Sequence, residues 1–178
     1  MRRLPTELDE LVLLEPEIHG DERGFLVETF READLAELGI DATFVQDNHS
    51  RSRGPVLRGI HMQRGQAKLI RCPRGQIWDV AVDLRPDSPN YRSWEGHELD
   101  GERHHQLFLP AGFGHGFCLL SDEADVIYRL SSYYDPELES GVAWDDPELG
   151  IEWPISEPTL SDRDRNAPPL AEVAGSLI

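Results

Sequence analysis

The sequence predicts a mainly β domain, a sandwich or barrel of short strands with few helices. Short apolar segments alternate with turn-forming residues along most of the chain, as in RPDSPN at 85–90 and DGE at 100–102. Only Glu32–Leu38, followed by Gly39 as a C-terminal cap, has the pattern of a helix. With 178 residues, the chain is long enough for one domain with its own apolar core.

Each predicted strand is an apolar or alternating segment that lies between turn residues. We expect strands at Phe25–Phe30, Thr43–Asn48, Val56–Gln63, Lys68–Cys72, Gln76–Asp83, Ser93–Leu99, Gln106–Leu109, Gly116–Leu120 and Asp125–Leu130. The last third, including WDDPELGIEWP at 144–154, is expected to form short helices and loops packed onto the strands. We expect residues 1–178 to form a single domain, with 1–10 and 171–178 loosely ordered.

The composition argues against several classes of partner. A formal net charge of −17 disfavours nucleic acid and acidic membrane surfaces, because both bind basic protein surfaces. No apolar run approaches the roughly 20 residues of a membrane span, and Leu11–Leu14 is too short for a signal-peptide core. Cys72 and Cys118 have no disulfide-framework spacing, so we expect reduced thiols and a cytoplasmic protein.

Two histidines lie in motifs suited to chemistry. LFLPAGFGHGF at 107–117 resembles the P-x-G-x-x-H motif of the cupin superfamily, with His115 after the Pro-Gly turn. In VLRGIHMQ at 56–63, Gln63 occupies the position where metal-binding cupins have a second histidine. Because His61, Gln63 and His115 are a poor ligand set for a transition metal, we expect proton transfer without metal or cofactor.

Longer motifs extend the resemblance to one family. The chain contains GDERGFLVETF, TFVQDNHSRS, AKLIRCPRGQIWDVAVDLRPDSP, IYRLSSYYDPELE, GIEWP and LSDRD in this order between residues 12 and 170. In order and spacing they resemble the dTDP-4-dehydrorhamnose 3,5-epimerases. The resemblance implies a jelly-roll (cupin) barrel, a homodimer, and epimerisation at C3 and C5 of dTDP-4-dehydro-6-deoxy-D-glucose to dTDP-4-dehydro-L-rhamnose.

The resemblance also assigns roles by matching motifs. It places the catalytic base on His61, the general acid on Tyr128, and the carboxylate that orients the histidine on Asp164. Lys68 and His115 match residues that line the reacting sugar, and Asp79 matches a second buried carboxylate. Positions that match substrate-binding residues are Arg23, Glu28, Gln46, Asn48, Arg58, Glu139 and Arg163, with Tyr134 matching an aromatic that stacks on thymine.

These residue types suit the implied reaction. A neutral imidazole can remove a proton beside a ketone, and a tyrosine hydroxyl can return one to the opposite face. A cation beside the ketone oxygen stabilises the enolate, the role expected of Lys68. Lys68 is the only lysine of the chain, whose other basic side chains, apart from histidine, are arginines, and lysine and arginine are not interchangeable at catalytic positions.

Two local features depart from the simple pattern. The segment between Gln63 and Lys68 is shorter than is usual in the family, so a tight turn must preserve the position of Lys68. Strict strand alternation also places Arg58 and His61 on opposite faces, and a bulge at Gly59 would bring them together.

Alternatives that the residues leave open are an enzyme that inverts only C3 or only C5, a sugar-nucleotide ketoisomerase, and a non-catalytic sugar-nucleotide binder.

Overall fold

The structure is a computed structural model that describes residues 1–175. Two antiparallel β-sheets face each other as a jelly roll. The six-stranded sheet contains, in spatial order, β1 (Arg2–Leu4), β2 (Val12–Glu15), β10 (Gln106–Leu109), β7 (Lys68–Arg74), β12 (Glu123–Leu130) and β5 (Gln46–Arg53). The five-stranded sheet contains β13 (Glu139–Gly141), β6 (Leu57–Gln63), β11 (Phe113–Leu119), β8 (Gln76–Asp83) and β9 (Trp94–Asp100).

The remaining elements lie outside the two sheets. A separate hairpin pairs β3 (Ile18–Asp21) with β4 (Gly24–Val27). The helices of the described residues are α1 (Glu32–Glu37), α2 (Asp162–Arg165) and α3 (Leu170–Val173). Within the same part of the chain, no helix is long and apolar enough to cross a membrane.

Three apolar clusters explain why these strands pack as two sheets. The central cluster lies between the inner faces of the sheets, where Ile70 and Val126 of one sheet meet Ile77 and Phe117 of the other. A second cluster covers the outer face of the five-stranded sheet with the C-terminal segment, and a third lies beneath α1. The expectation of short helices and loops packed on the β domain near the C-terminus is therefore confirmed.

The mainly β prediction is confirmed, with corrections at individual elements. The β8 and β10 ranges are as predicted, but β5 begins at Gln46 and continues to Arg53, and the strand predicted over Phe25–Phe30 ends at Val27. Strands β1, β2, β3 and β13 were not predicted. Gly39 has a φ of +89° and donates its N–H to Ala36, which confirms the predicted helix cap.

The amino terminus, expected to be loosely ordered, is paired into the six-stranded sheet. Strand β1 pairs with β2, and the backbone N–H groups of Glu7 and Leu8 donate to the buried carboxylate of Glu95. Near the other end, α3 begins at Leu170, which is fully buried, so residues 171–173 continue a packed helix. Residues 176–178 of the predicted loose tail lie outside the described part.

Candidate active site

A cavity of about 300 Å³ lies between the two sheets and collects most of the predicted site residues. The five-stranded sheet provides His61 and His115, while the six-stranded sheet provides Lys68 and Tyr128. Nine of the predicted site residues line this cavity: Asn48, Arg58, His61, Lys68, His115, Tyr128, Tyr134, Glu139 and Arg163. Three of them are arginine or lysine and one is a carboxylate, Glu139, so the cavity lining carries more basic than acidic side chains in a protein of net charge −17.

A bulge in β6 brings Arg58 and His61 to the same face. His115 pairs with His61 and Phe117 pairs with Arg58, so three steps along β6 oppose two steps along β11. Gly59 has a φ of +129°, which disfavours residues with a side chain, and a Cβ there would lie 2.4 Å from the Cα of Gly116. The predicted bulge is therefore confirmed, and both residues line the cavity.

His61 is held by a carboxylate from the C-terminal region. Its Nε2 lies 2.5 Å from Oδ1 of Asp164, which is buried in the first turn of α2. Ser161 caps this helix, accepts the Asp164 N–H at 3.1 Å, and donates its hydroxyl to Oδ2 of Asp164 at 2.8 Å. Each carboxylate oxygen therefore has its own partner, and the carboxylate is fixed relative to the imidazole.

The pKa values of this pair suit a base that is neutral before reaction. Burial lowers the pKa of His61 below its ordinary value of 6.5, and the hydrogen bond to Asp164 offsets only part of this effect. Burial opposes ionisation of Asp164, but hydrogen bonds from His61 and Ser161, together with the electrostatic attraction of His61 and Arg163, outweigh it and keep that pKa below its ordinary value. Near neutral pH, the arrangement is an imidazole beside a carboxylate that can stabilise the imidazolium.

Lys68 extends into the cavity from the first position of β7. It is 8% exposed, and its Nζ donates to the backbone carbonyl of His61 at 3.1 Å. Burial lowers its pKa to about 8, although the carboxylates of Glu139 and Asp79 act in the opposite direction. The side chain is therefore mostly a cation at neutral pH, and it lies close to the histidine that the resemblance identifies as the base.

A second histidine–carboxylate pair lies beside the first. His115 Nε2 and Asp79 Oδ2 are 2.8 Å apart, and Asp79 is completely buried behind the cavity wall. The other oxygen of Asp79 has no hydrogen-bond partner among the described residues. In the same part of the chain, no group of three or more His, Cys, Asp or Glu side chains is arranged to hold a metal ion.

The outer part of the cavity is built from polar and aromatic side chains. The hydroxyl of Tyr134 donates to Glu139 at 2.8 Å, and Arg163 pairs with the same carboxylate at 2.9 Å. Gln46 accepts the backbone N–H of Tyr134 at 3.0 Å and donates to Asn48 at 3.1 Å. The Tyr134 side chain is thus held beside basic and amide groups, an environment suited to an aromatic base and anionic oxygens.

Comparison with known proteins identifies the family. The family model described as dTDP-4-dehydrorhamnose 3,5-epimerase matches residues 5–172. The dTDP-4-dehydrorhamnose 3,5-epimerase of Methanothermobacter thermautotrophicus is 48% identical over 176 residues, covering 96% of this chain and 95% of the relative. The chain belongs to the dTDP-4-dehydrorhamnose 3,5-epimerase family. It is therefore an enzyme of the isomerase class.

Two further relatives of this epimerase family bear on the site. The 3,5-epimerase of Legionella pneumophila, solved in complex with dTDP-4-keto-L-rhamnose, superposes with a TM-score of 0.96 at 44% identity, covering 99% of this chain and 96% of that one. The dTDP-4-dehydrorhamnose 3-epimerase of Streptomyces niveus is 43% identical, covering 97% of this chain and 85% of the relative. The family thus includes enzymes named for one inversion as well as for two.

Two predicted binding residues of this epimerase-family chain lie away from the cavity. Arg23 lies in the turn of the β3–β4 hairpin and pairs with Asp21, while Glu28 follows that hairpin and pairs with Arg31. The hairpin lies outside both large sheets and exposes Phe25 and Leu26, at 60% and 68% of their surface. Within one chain, the structure therefore does not bring Arg23 and Glu28 to the other site residues.

Five cavity residues were not predicted as site residues: Met62, Gln63, Gln66, Phe117 and Leu130. From the sequence, Gln63 is notable only as a poor metal ligand, and Gln66 lies in the shortened turn before Lys68. Alternation from His61 along β6 could have placed Gln63 on the cavity face. No comparable sequence signal identifies Gln66, whose position depends on a turn and a loop that meet in three dimensions.

Proposed function

We propose that this protein epimerises C3 and C5 of dTDP-4-dehydro-6-deoxy-D-glucose to give dTDP-4-dehydro-L-rhamnose, without a metal or cofactor. The observation that supports the proposal is that His61, paired with Asp164, and Tyr128 line one cavity from two different sheets. Inversion requires a base on one face of the carbon and an acid on the other. Family membership and the relative bound to dTDP-4-keto-L-rhamnose support this substrate class.

In each half of the reaction, His61 removes the proton from the carbon beside the C4 ketone. The electrons of the C–H bond move into a carbon–carbon double bond, and the ketone oxygen becomes an enolate oxygen. Asp164 stabilises the imidazolium, and the Lys68 ammonium stabilises the enolate. Tyr128 then protonates the carbon from the other face. Exchange with solvent returns a proton to Tyr128 and removes one from His61 before the second carbon reacts.

Nucleotide binding is assigned to the outer cavity. Arg58 is oriented by a hydrogen bond from its Nε to Ser52 at 3.0 Å, and Arg163 is close enough to His61 to act on the pKa of that histidine. Planar guanidinium groups suit the two phosphates because they pair with phosphate oxygens in a bidentate manner. Tyr134 provides the surface for the thymine ring, with Gln46 and Asn48 at its edge. His115, oriented by Asp79, contacts the sugar.

The active form is proposed to be a homodimer in which a second copy completes the site. The exposed apolar hairpin and the distance of Arg23 and Glu28 from their own cavity both support this assembly, since exposed apolar patches commonly mark interfaces. In the dimer, the hairpin of one copy would bring Arg23 and Glu28 to the cavity of the other.

The free, buried thiols of Cys72 and Cys118 agree with a proposed cytoplasmic location.

Inversion at C3 alone is the second candidate function. It is supported by the 43% identity of this chain to a relative named as a 3-epimerase. Proton NMR of the product formed in D₂O separates the two, because a 3,5-epimerase incorporates deuterium and inverts configuration at both carbons. Inversion at C3 only would support the second candidate, and an unchanged substrate would contradict both. The assay includes EDTA, since turnover lost in EDTA and restored by one divalent metal would contradict the metal-free mechanism.

A further inference from the structure

The short turn between β6 and β7 carries two buried glutamines. The N–H of Gln66 donates to the carbonyl of Gln63 at 3.1 Å, and Gly65 between them has a φ of +72°. Gln63 and Gln66 are 3% and 5% exposed, and both line the cavity. Buried amides require hydrogen-bond partners, and here the partners lie in another part of the chain.

Gln63 bonds to the loop that follows β12. Its Nε2 donates to the Ser132 hydroxyl at 3.1 Å and to the Tyr133 carbonyl at 2.9 Å, while its Oε1 accepts the Asp135 N–H at 2.8 Å. Both ends of one amide group therefore bond to residues 132–135, which have no helix or strand. Tyr134 lies between the two backbone groups that Gln63 holds.

Gln66 and its neighbour attach the start of the same loop. The Nε2 of Gln66 donates to the Ser132 carbonyl at 3.0 Å. The backbone of Ala67 donates to the Ser131 hydroxyl at 2.8 Å and accepts the Ser131 N–H at 3.0 Å. The turn that precedes Lys68 and the loop that carries Tyr134 are therefore one hydrogen-bonded unit.

We propose that Gln63 and Gln66 are positioning residues that hold Tyr134 as a preformed stacking surface for the nucleobase, so that they determine nucleotide affinity and not the chemical step. The inference rests on the proposed function, which assigns Tyr134 to the base. Tyr134 is 53% exposed, and its fixed position depends on hydrogen bonds to its backbone and hydroxyl. A loop that is ordered before binding loses less conformational entropy when the ligand arrives.

The test uses Gln63→Leu, Gln66→Leu and Gln63→Glu, the last of which keeps the acceptor for Asp135 and loses both donors. We expect the KM for the dTDP-sugar and the Kd for thymidine diphosphate to rise about tenfold, or about 1.4 kcal/mol, while kcat stays within about threefold. The pH dependence of kcat should not change. Gln76→Leu is the matched control, since the Gln76 amide bonds to Glu98 away from the cavity.

A double-mutant cycle with Tyr134→Ala provides the decisive readout. If the glutamines act through Tyr134, adding Gln63→Leu to Tyr134→Ala changes the Kd for thymidine diphosphate by less than about twofold. Additive losses, an unchanged Kd in the single variants, or a fall in kcat at constant KM would each overturn the inference. Absence of wild-type turnover would instead contradict the proposed function, and the diphosphate Kd would still test the glutamines.

Discussion

His61 and Asp164 are 103 residues apart in the chain, yet the imidazole Nε2 and the carboxylate Oδ1 lie 2.5 Å apart at the cavity wall. We expect Asp164→Asn to lower kcat by at least about 10²-fold, because an amide cannot stabilise the imidazolium that forms during proton removal. The control is Asp162→Asn on the same helix, where the side chain is 96% exposed. If Asp164→Asn kept the same kcat as Asp162→Asn, the His61–Asp164 pair would have no role in catalysis.

The lone lysine provides a second test. We expect Lys68→Arg to fold normally and bind thymidine diphosphate, but to lose at least about tenfold in kcat, because a planar guanidinium cannot replace a compact ammonium beside the enolate oxygen. Arg2→Lys, the reverse exchange at an exposed position away from the cavity, should be neutral because lysine can keep the ion pair with Glu15. Wild-type turnover in Lys68→Arg would contradict the enolate-stabilising role.

Replacement of Tyr128 should separate proton removal from inversion. In Tyr128→Phe, His61 can still remove a proton and return deuterium to the same face, so we expect inversion to fall much more than deuterium exchange. NMR in D₂O measures both rates, and Tyr133→Phe is the control because that side chain is 72% exposed. Equal losses of exchange and inversion would show that Tyr128 is not the opposite-face acid.

The pKa directions predict the pH profile of kcat/KM. The base must be neutral and the lysine charged, so activity should rise through a His61 pKa below 6.5 and fall through a Lys68 pKa of about 8. In Lys68→Arg, the residual activity should lack the alkaline decline, since arginine stays charged throughout this range. If kcat/KM of Lys68→Arg still fell at alkaline pH, that decline would belong to a group other than Lys68.

The β6 bulge predicts a stability difference between two glycines with positive φ. Gly54 has a φ of +77°, and apart from its chain neighbours no atom of the described residues lies within 4 Å of the position that a Cβ would take there, whereas at Gly59 a Cβ would lie 2.8 Å from the His115 carbonyl oxygen. We expect Gly54→Ala to lower the free energy of unfolding by about 1 kcal/mol and Gly59→Ala by at least about 3 kcal/mol. Urea unfolding measures both, and equal losses would contradict the close packing of β6 on β11.

The sequence by itself determined the β class, most of the strands and the composition of the site. Apolar alternation, turn residues and helix caps depend on residues close together in the chain. The sequence therefore predicted β8, β10 and the Gly39 cap correctly. The Gly59 bulge could also be predicted, because Arg58 and His61 otherwise lie on opposite faces. Strands β1 and β2 could not, since their short segments become strands only by pairing with each other and with β10.

Only the tertiary structure decided which of these residues meet. Hydrogen bonds between distant segments fasten Gln63 and Gln66 to the loop that carries Tyr134, whereas the contact of Asp164 with His61 was expected from the family resemblance alone. Such contacts depend on sheet register and loop path, which no local pattern encodes. The motifs of Arg23 and Glu28 match binding positions, but local sequence could not show that their hairpin lies outside both large sheets and away from the cavity of the same chain. Local sequence specifies which groups are available, and the packing of remote segments specifies which of them share a site.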